Sequence, residues 1–238
     1  MSPELYPAML RAQGAHWWFR VRREAVSEVI ARHPRSGGLR LLEIGAGTGA
    51  NIAMLAGHGR VTALDNDAYA LAALAALAAS RPGRVEVVPG DAGDLARVAG
   101  QRFDVVLLLD VLEHLDDDVA ALRQARAALR PGGSLVATVP AHPWLFGEHD
   151  RLHRHRRRYT ARSLRRALGD AGFGRARMRW MFARSLPLMI LSRVLGRRHD
   201  VVAEAASPLN RLLYALERGA ARHGCGMPGS SLLAVAST

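Results

Sequence analysis

The hydrophobic residues of the chain fall into two kinds of segment. Short, unbroken apolar runs alternate with longer segments in which apolar residues recur at helical spacing. Unbroken runs are typical of strands that are buried on both faces of a parallel sheet. The predicted strands cover residues 39–44, 61–64, 85–88, 103–109 and 135–139, and the helices between them cover 50–57, 68–79 and 119–129. This alternation predicts an α/β fold with a doubly wound, mostly parallel sheet.

Further elements are predicted on both sides of this core. Residues 16–32 form an amphipathic helix by their apolar spacing. A polar, basic stretch at 142–159 is followed by helices at 160–171, 185–196 and 208–222 and by strands at 177–182 and 231–236. We therefore divide the chain into an N-terminal helical cap (1–38), a core (39–140) and an acceptor-side region with a helical insertion before the last strand (141–238).

Composition favours a folded protein of a reducing compartment. The 238 residues are 49% hydrophobic and 23% charged, which is typical of a globular domain. Cys225 is the single cysteine, so no internal disulfide can form. The N-terminus lacks the apolar core of a signal peptide, and the apolar run 186–191 is far shorter than the about 20 residues that cross a bilayer. We therefore expect a cytoplasmic location.

The net charge of +12 comes from arginine alone, because none of the 33 basic residues is lysine. Such a bias reflects overall composition more than a binding surface, but the arginines within 151–158 are dense enough to attract an anion. Arginines also flank the apolar segment 180–198, which fits a helix lying on the inner membrane surface. Packing on the domain or a homodimer contact is the favoured alternative, so a monomer and a homodimer both stay open.

A glycine-rich loop follows the first predicted strand. Residues 43–49 read EIGAGTG and open a helix, and Asp65 ends the second predicted strand. Glycines permit a sharp turn and a close approach of a ligand, and a carboxylate at the next strand end can bind a ribose diol. The same glycines satisfy a loose dinucleotide pattern, so a nicotinamide cofactor is an alternative at this point.

Two further acids follow the third and fourth predicted strands. Asp91 lies just beyond residues 85–88, where its carboxylate can accept a hydrogen bond from an adenine amine. Asp110 ends the run 103–109 and is followed by residues 111–115, which read VLEHL. The carboxyl ends of parallel strands share one edge of a sheet, so we expect these acids near the glycine loop.

These motifs, with LRPGG at 129–133, resemble the class I S-adenosylmethionine-dependent methyltransferases over residues 39–140. Within that group the chain is similar to the type 11/23 branch, which includes quinone-biosynthesis and polysaccharide-associated enzymes. Looser similarities are HWWF at 16–19 and WLFGEHD at 144–150. The resemblance implies S-adenosyl-L-methionine as cofactor and a Rossmann-like sheet of seven strands, the last antiparallel. The cofactor-binding residues it implies are Glu43, Gly45, Ala46, Gly47, Asp65, Asn66, Asp91, Ala92 and Asp110.

The expected chemistry is an in-line displacement that depends on alignment of the acceptor and, for an oxygen nucleophile, on a base. His114 and His149 are the catalytic candidates. His114 could equally stabilise its loop, and the alternative for His149, which is less favoured, is a solvated polar loop. No metal site is expected, because the histidines lack an evident set of carboxylate partners. The residues predicted to contact the acceptor are Trp17, Trp18, Trp144, His153, Arg157, Arg158 and Tyr159.

The leading hypothesis is methyl transfer to a small-molecule, lipid-linked or glycan-linked acceptor, with oxygen as the favoured atom and an anionic group on the acceptor. One alternative is an NAD-dependent oxidoreductase. Another is a non-catalytic, basic RNA-binding module, which is disfavoured because no aromatic–basic stacking motif is present. Nucleic acid is therefore not the expected partner.

Overall fold

A computed structural model describes residue 10 and residues 12–33, 38–194, 207–223 and 226–238. Within them, seven strands form one sheet in the order β3-β2-β1-β4-β5-β7-β6. The strands are β1 (Leu39–Ile44), β2 (Gly59–Asp65), β3 (Val85–Pro89), β4 (Phe103–Leu109), β5 (Leu129–Pro140), β6 (Ala176–Met181) and β7 (Ser231–Ser237). The helices are α1 (Trp17–Ala31), α2 (Ile52–Ala56), α3 (Ala68–Ala79), α4 (Asp118–Ala128), α5 (Glu148–Leu152), α6 (Ala161–Asp170), α7 (Leu186–Val194) and α8 (Pro208–His223).

The sheet is mixed, as the sequence resemblance implies. Strands β1 to β5 run parallel, whereas β7 is antiparallel to both of its neighbours, β5 and β6. Every residue of β4 is buried, as its unbroken apolar run predicts. The chain leaves β1 towards β2 on one side and returns to β4 on the other. This reversal creates a crevice at the carboxyl ends of β1 and β4, where ligands bind in open α/β sheets.

Two apolar clusters cover the sheet. One joins β4 and β5 to buried residues of α4 and α6, and the other joins β1 and β2 to α1 and α2. The N-terminal helix also packs against α8 from the insertion. The Trp17 backbone N–H donates to Asn210 Oδ1 at 2.7 Å, and the Tyr214 hydroxyl bonds Glu24. The predicted cap and insertion thus share one layer over the same sheet face.

Polar residues at the start of two helices fix where those helices begin. Asp67 Oδ1 accepts the Tyr69 and Ala70 N–H groups at the start of α3, at 2.9 and 3.2 Å. Thr160 Oγ1 accepts the Ser163 N–H at 3.0 Å at the start of α6. Such caps satisfy N–H groups that have no partner inside the helix, so they set the boundary.

The seven predicted strands are all present, and the main difference lies in β5. The sequence predicts that strand from residue 135, but it begins at Leu129, which pairs with Phe103. The register then shifts between Phe103 and Val105, because the residues at 131–133 occupy an irregularity in the strand. Gly132 adopts a positive φ of 74° there, a conformation that glycine accepts without strain. The proline–glycine signal therefore marks a bulge as well as the end of α4.

No helix among the described residues is both long enough and apolar enough to span a bilayer. The apolar segment predicted at 180–198 contains the end of β6 and all of α7. Leu188 and Leu191 of α7 are exposed. Residues 195–198 of that segment, with the arginines at 197 and 198, lie outside the described part of the chain, as does Cys225.

Replacement of Gly59 by alanine should destabilise the fold. A Cβ at this position would lie 1.9 Å from the Leu39 carbonyl oxygen and 2.6 Å from the Leu39 nitrogen, so β1 and β2 would have to separate. We expect the free energy of unfolding to fall by about 3 kcal/mol in urea denaturation. Gly174→Ala is the control, because a Cβ there meets nothing within 4 Å. Equal stability of the two variants would contradict this account of the β1–β2 contact.

Candidate functional site

Four neighbouring strands end beside carboxylates at one edge of the sheet. In spatial order β3, β2, β1 and β4, the acids at or next to the strand ends are Asp91, Asp65, Glu43 and Asp110. Because these strands are parallel, their carboxyl ends meet at the same edge. The predicted cofactor residues are therefore brought together, in the crevice that the strand order creates.

The loop between β1 and α2 shapes this edge. Gly47 and Gly49 have positive φ angles of 54° and 83°, which let the chain turn from strand to helix. A Cβ at Gly49 would lie 2.3 Å from Leu77 Cδ1, whereas a Cβ at Gly47 would meet nothing within 4 Å. Gly49 is thus required by packing, and Gly47 leaves its backbone open to the crevice. Gly45 and the buried Ala46 complete the turn.

Glu43 is a buried acid with an unsatisfied oxygen. Its side chain is 1% exposed, and Oε1 accepts from Asn51 Nδ2 at 2.6 Å. Oε2 has no hydrogen-bond partner among the described residues. Burial raises the pKa of Glu43 to about 7, with Asn51 and Arg22 opposing the increase. A buried oxygen without a partner calls for a donor, and a cationic donor would also restore the charged form.

Asp65 and Asp91 are held by backbone N–H groups. Asp65 accepts from the Gly47 N–H at 2.7 Å and from the Asp67 N–H at 3.0 Å. Asp91 accepts from the Gly93 N–H at 2.7 Å and from Asn66 Nδ2 at 2.6 Å. Each carboxylate oxygen has a second lone pair, so both acids can still accept from a ligand. The partly buried Ala92 follows Asp91 and packs on the core.

Arg22 of α1 is a site residue that the sequence analysis missed. It is 6% exposed and forms an ion pair with Asp110, and its guanidinium lies 4.7 Å from the centre of the Trp18 ring. Asp110 itself has a positive φ of 57°, which is uncommon outside glycine. The sequence did contain one indication of this role, which is the position of Arg22. It lies four residues from both Trp18 and Val26, so the three side chains share one helix face.

Histidines gather on the loops beyond β4 and β5. The His114 and His155 rings lie 4.8 Å apart, and those of His149 and His153 lie 4.2 Å apart. Burial and His155 lower the pKa of His114 to about 4. Glu113 is fully buried, and burial together with Asp110 raises its pKa well above the usual range.

One cluster bears on the expectation that no metal site exists, because it brings a carboxylate next to two histidines. Ligand atoms of Glu113, His114 and His155 all lie within 4.8 Å of one another. The sequence concealed the group because His155 comes from the segment after β5 and meets the other two only in the folded chain. A carboxylate partner for the histidines is thus present.

The two predicted acceptor arginines are engaged by the protein. Arg158 is 8% exposed, and its Nε donates to Asp150 at 2.8 Å while its Nη1 donates to the Ala141 carbonyl at 3.1 Å. Arg157 donates through Nη2 to the carbonyls of Leu115 and Asp116, at 3.0 and 2.8 Å. Both guanidinium groups therefore tie loops together. The Arg157 side chain is still partly exposed, and contact of either arginine with an acceptor stays a prediction.

Two of the predicted aromatic contacts are also buried. The Tyr159 hydroxyl bonds Asp118 at 2.6 Å, and its side chain is 3% exposed. Trp17 is 7% exposed and packs edge-on against Phe182. Trp18 stacks on Phe182 and is partly exposed. Trp144, at 64% exposure, is open to solvent. Of these four aromatics, Trp18 and Trp144 are the ones with surface exposed to solvent.

Comparison with known proteins places these features in a family. The sequence family described as "Methyltransferase domain" matches residues 42–137. A ubiquinone biosynthesis O-methyltransferase of Cereibacter sphaeroides is 39% identical over 103 residues, which are 43% of this chain and 41% of that protein. The human thiol S-methyltransferase TMT1B is 35% identical over 133 residues, 52% of this chain and 54% of that protein.

The likeness of fold extends further along the chain than the likeness of sequence. The crystal structure of the [4+2]-cyclase SpnF superposes with a TM-score of 0.67 and 21% identity, covering 99% of this chain and 93% of that one. The curated relatives, by contrast, are matched over only about half of their length. Residues 42–137 therefore match the methyltransferase domain family, as the resemblance to the type 11 branch implies.

Proposed function

We propose that the protein transfers a methyl group from S-adenosylmethionine to a small-molecule acceptor, with oxygen as the favoured nucleophilic atom. The observation that carries the proposal is the row of acids at the strand ends, with the unsatisfied Oε2 of buried Glu43 and the open backbone at Gly47. The cofactor has two cationic groups, a sulfonium and an ammonium. A crevice lined by carboxylates favours such a ligand.

The proposed contacts fall into three groups, one for each part of the cofactor. Asp65 would accept hydrogen bonds from the ribose hydroxyls, and Asp91 with Asn66 and Ala92 would contact the adenine. Glu43 and the loop 45–47 would hold the methionine portion. The ion pair of Arg22 with Asp110 offers a cation and an anion side by side, which suit the carboxylate and the ammonium of an amino acid.

When bound, S-adenosylmethionine supplies an electrophilic methyl group. The residues of the protein then have to align the acceptor, exclude water and remove its proton. Trp18 and Trp144 are the proposed acceptor contacts, and His114 and His149 are the proposed proton acceptors. His153, whose ring lies 5.8 Å from that of His155, belongs to the same loop cluster. An anionic acceptor would bind the arginines of 151–156, which are exposed, more readily than Arg157 and Arg158.

The same electrostatics weighs against the alternative functions. A nicotinamide dinucleotide carries an anionic pyrophosphate, which the acids at the ends of β1 to β4 would repel. An RNA-binding surface would need exposed aromatics interleaved with basic residues, and Trp17 and Tyr159 are buried.

The kind of acceptor is narrowed by the relatives and by the surface. One relative is named for O-methylation in ubiquinone biosynthesis and another for thiol S-methylation. We propose an oxygen acceptor because the first is the more similar of the two in sequence, at 39% identity against 35%. A lipid-linked acceptor fits the exposed Leu188 and Leu191 of α7, and Leu191 lines a cavity together with Met227. A glycan-linked acceptor is the alternative. Contact with an inner membrane surface, and the assignment of residues 1–38, 39–140 and 141–238 to cap, cofactor core and acceptor side, belong to the same proposal.

Cofactor binding should depend on Asp65. In titration calorimetry we expect S-adenosylmethionine and S-adenosylhomocysteine to bind, and Asp65→Asn to weaken both by roughly tenfold or more, because hydrogen bonds to a charged group are lost. Asp94→Asn is the matched control, since Asp94 accepts the Ala96 N–H in a nearby turn. Tight binding of NADH with no binding of either adenosyl ligand would overturn the proposal.

Methyl transfer is tested by release of S-adenosylhomocysteine, measured by mass spectrometry. Catechol serves as the oxygen probe and dithiothreitol as the sulfur probe. We expect turnover with catechol to exceed turnover with dithiothreitol. The reverse order would move the proposal from an oxygen to a sulfur acceptor.

Ionisation of Glu43 should make stability fall with rising pH. Its pKa is about 7 in the folded protein and 4.5 for a glutamate in water, so the folded state holds the proton more tightly. The stabilisation is complete below pH 4.5 and is lost as the pH rises through 7, a loss of about 3 kcal/mol. The measurement is urea unfolding at pH 5 and pH 8, in which Glu43→Gln should lose less stability than the native protein. Identical pH dependence in both would contradict the assignment.

A further inference from the structure

We propose that Glu113, His114 and His155 bind a divalent transition-metal ion, for which zinc is the best match. Their ligand atoms lie within 4.8 Å of one another, a separation that one ion can bridge after small side-chain movements. The proposal deepens the proposed function, because the site lies on the loop that follows Asp110. It rests on that function only for the role of the ion in catalysis.

Glu113 gives the first independent indication of a ligand. The residue is 1% exposed, and neither Oε1 nor Oε2 has a hydrogen-bond partner among the described residues. Buried polar atoms are almost always paired, and leaving a carboxylate unpaired costs several kcal/mol by the usual scale. A cation between Glu113 and the two imidazoles would satisfy this group.

The two histidines are already oriented as ligands would be. His155 Nδ1 lies 2.9 Å from Asp150 Oδ1, which leaves Nε2 to face the cluster. His114 is hydrogen-bonded to the backbone of Arg154, whose positive φ of 58° turns that segment towards it. Metal-binding histidines almost always use their second ring nitrogen in this way, on a carboxylate or a carbonyl.

A rigid framework holds the ligand-bearing segments in register. The Arg156 N–H donates to the Glu113 carbonyl at 2.7 Å, and Arg156 Nε donates to the His114 carbonyl at 3.0 Å. Asp150 is fixed in turn by Arg158 Nε at 2.8 Å and by the Gly147 N–H at 2.9 Å. The arginines that the sequence assigned to an acceptor therefore preorganise this cluster.

The donor set selects the class of ion. Two imidazoles and one carboxylate are the ligands of many catalytic zinc sites, which keep a further position open. Magnesium and calcium prefer sites made of oxygen, so they fit poorly. An oxygen or sulfur atom of the acceptor can occupy the open position, where a zinc ion lowers its pKa. His114 is then a ligand, and His149 remains the candidate base.

The test is direct measurement of metal binding by the untagged, full-length protein. Inductively coupled plasma mass spectrometry should find about one equivalent of zinc after purification. Calorimetric titration of the chelator-treated protein with zinc chloride should then give one site. We expect Glu113→Gln and His155→Gln each to weaken zinc binding by at least roughly tenfold. His58→Gln is the matched control, because His58 bonds Ser27 at the opposite end of the strands.

A second measurement covers variants that do not fold. Cobalt substitution of the native protein should give visible absorption bands of a four- or five-coordinate ion, and zinc should displace them. Circular dichroism of each metal-free variant establishes that it is folded before its affinity is used.

The outcomes separate the two proposals. Absence of stoichiometric zinc and of cobalt bands, or zinc affinities of folded Glu113→Gln and His155→Gln equal to the native value, would overturn the metal site. Binding of S-adenosylhomocysteine is measured on the same metal-free protein. If that ligand binds and zinc does not, the metal site alone fails; if zinc binds and that ligand does not, the proposed function alone fails.

Discussion

Mutual repulsion among carboxylates is the constraint on which this site depends. Parallel pairing of β1 to β4 brings four acids to one sheet edge, where burial and the nearby Asp65 raise the pKa of Glu43. The fold accommodates three of these acids in different ways. Asp65 takes two backbone N–H bonds, Asp110 takes the guanidinium of Arg22, and Glu43 retains a raised pKa of about 7. After these interactions the electrostatic potential of the crevice is still negative, so its ligand should be a cation.

The segment that follows β5 is organised around another buried acid, Asp150. It is completely buried, and hydrogen bonds from His155, Arg158 and the Gly147 N–H hold its pKa far below the usual range despite burial. Removing any one partner would leave charge buried without compensation, which costs more than the pair itself contributes. Arg156 and Arg157 are thus accounted for by contacts with the loop 113–116, and Arg158 by its contacts with Asp150 and Ala141.

The elements that the sequence predicts correctly are those set by local pattern. Strand periodicity and the glycines at 45–49 depend on neighbours along the chain, so the sheet and the cofactor edge could be placed from them. Arg22 and His155 could not, because their partners are distant in sequence and arginine is common throughout this chain. The buried-face position of Arg22 was readable, whereas the meeting of His155 with Glu113 depends on where the loops after β4 and β5 come together. The burial of Trp17 and Tyr159 was likewise not readable from the sequence, because it depends on the elements that pack over them.

The two acidic groups on the loop after β4 are electrostatically linked. Asp110 contributes to the raised pKa of Glu113, and Arg22 lowers it, so the cofactor side and the histidine cluster share one charge balance. A cation bound at either acid reduces the repulsion that the other experiences, and this reciprocity holds whichever ligand binds first. The N-terminal helix α1 contributes to that charge balance through Arg22. Helix α1 also packs against α8, which helps to fix its position. The position of α1 therefore sets where the charge of Arg22 lies as well as how far the site is shielded from solvent.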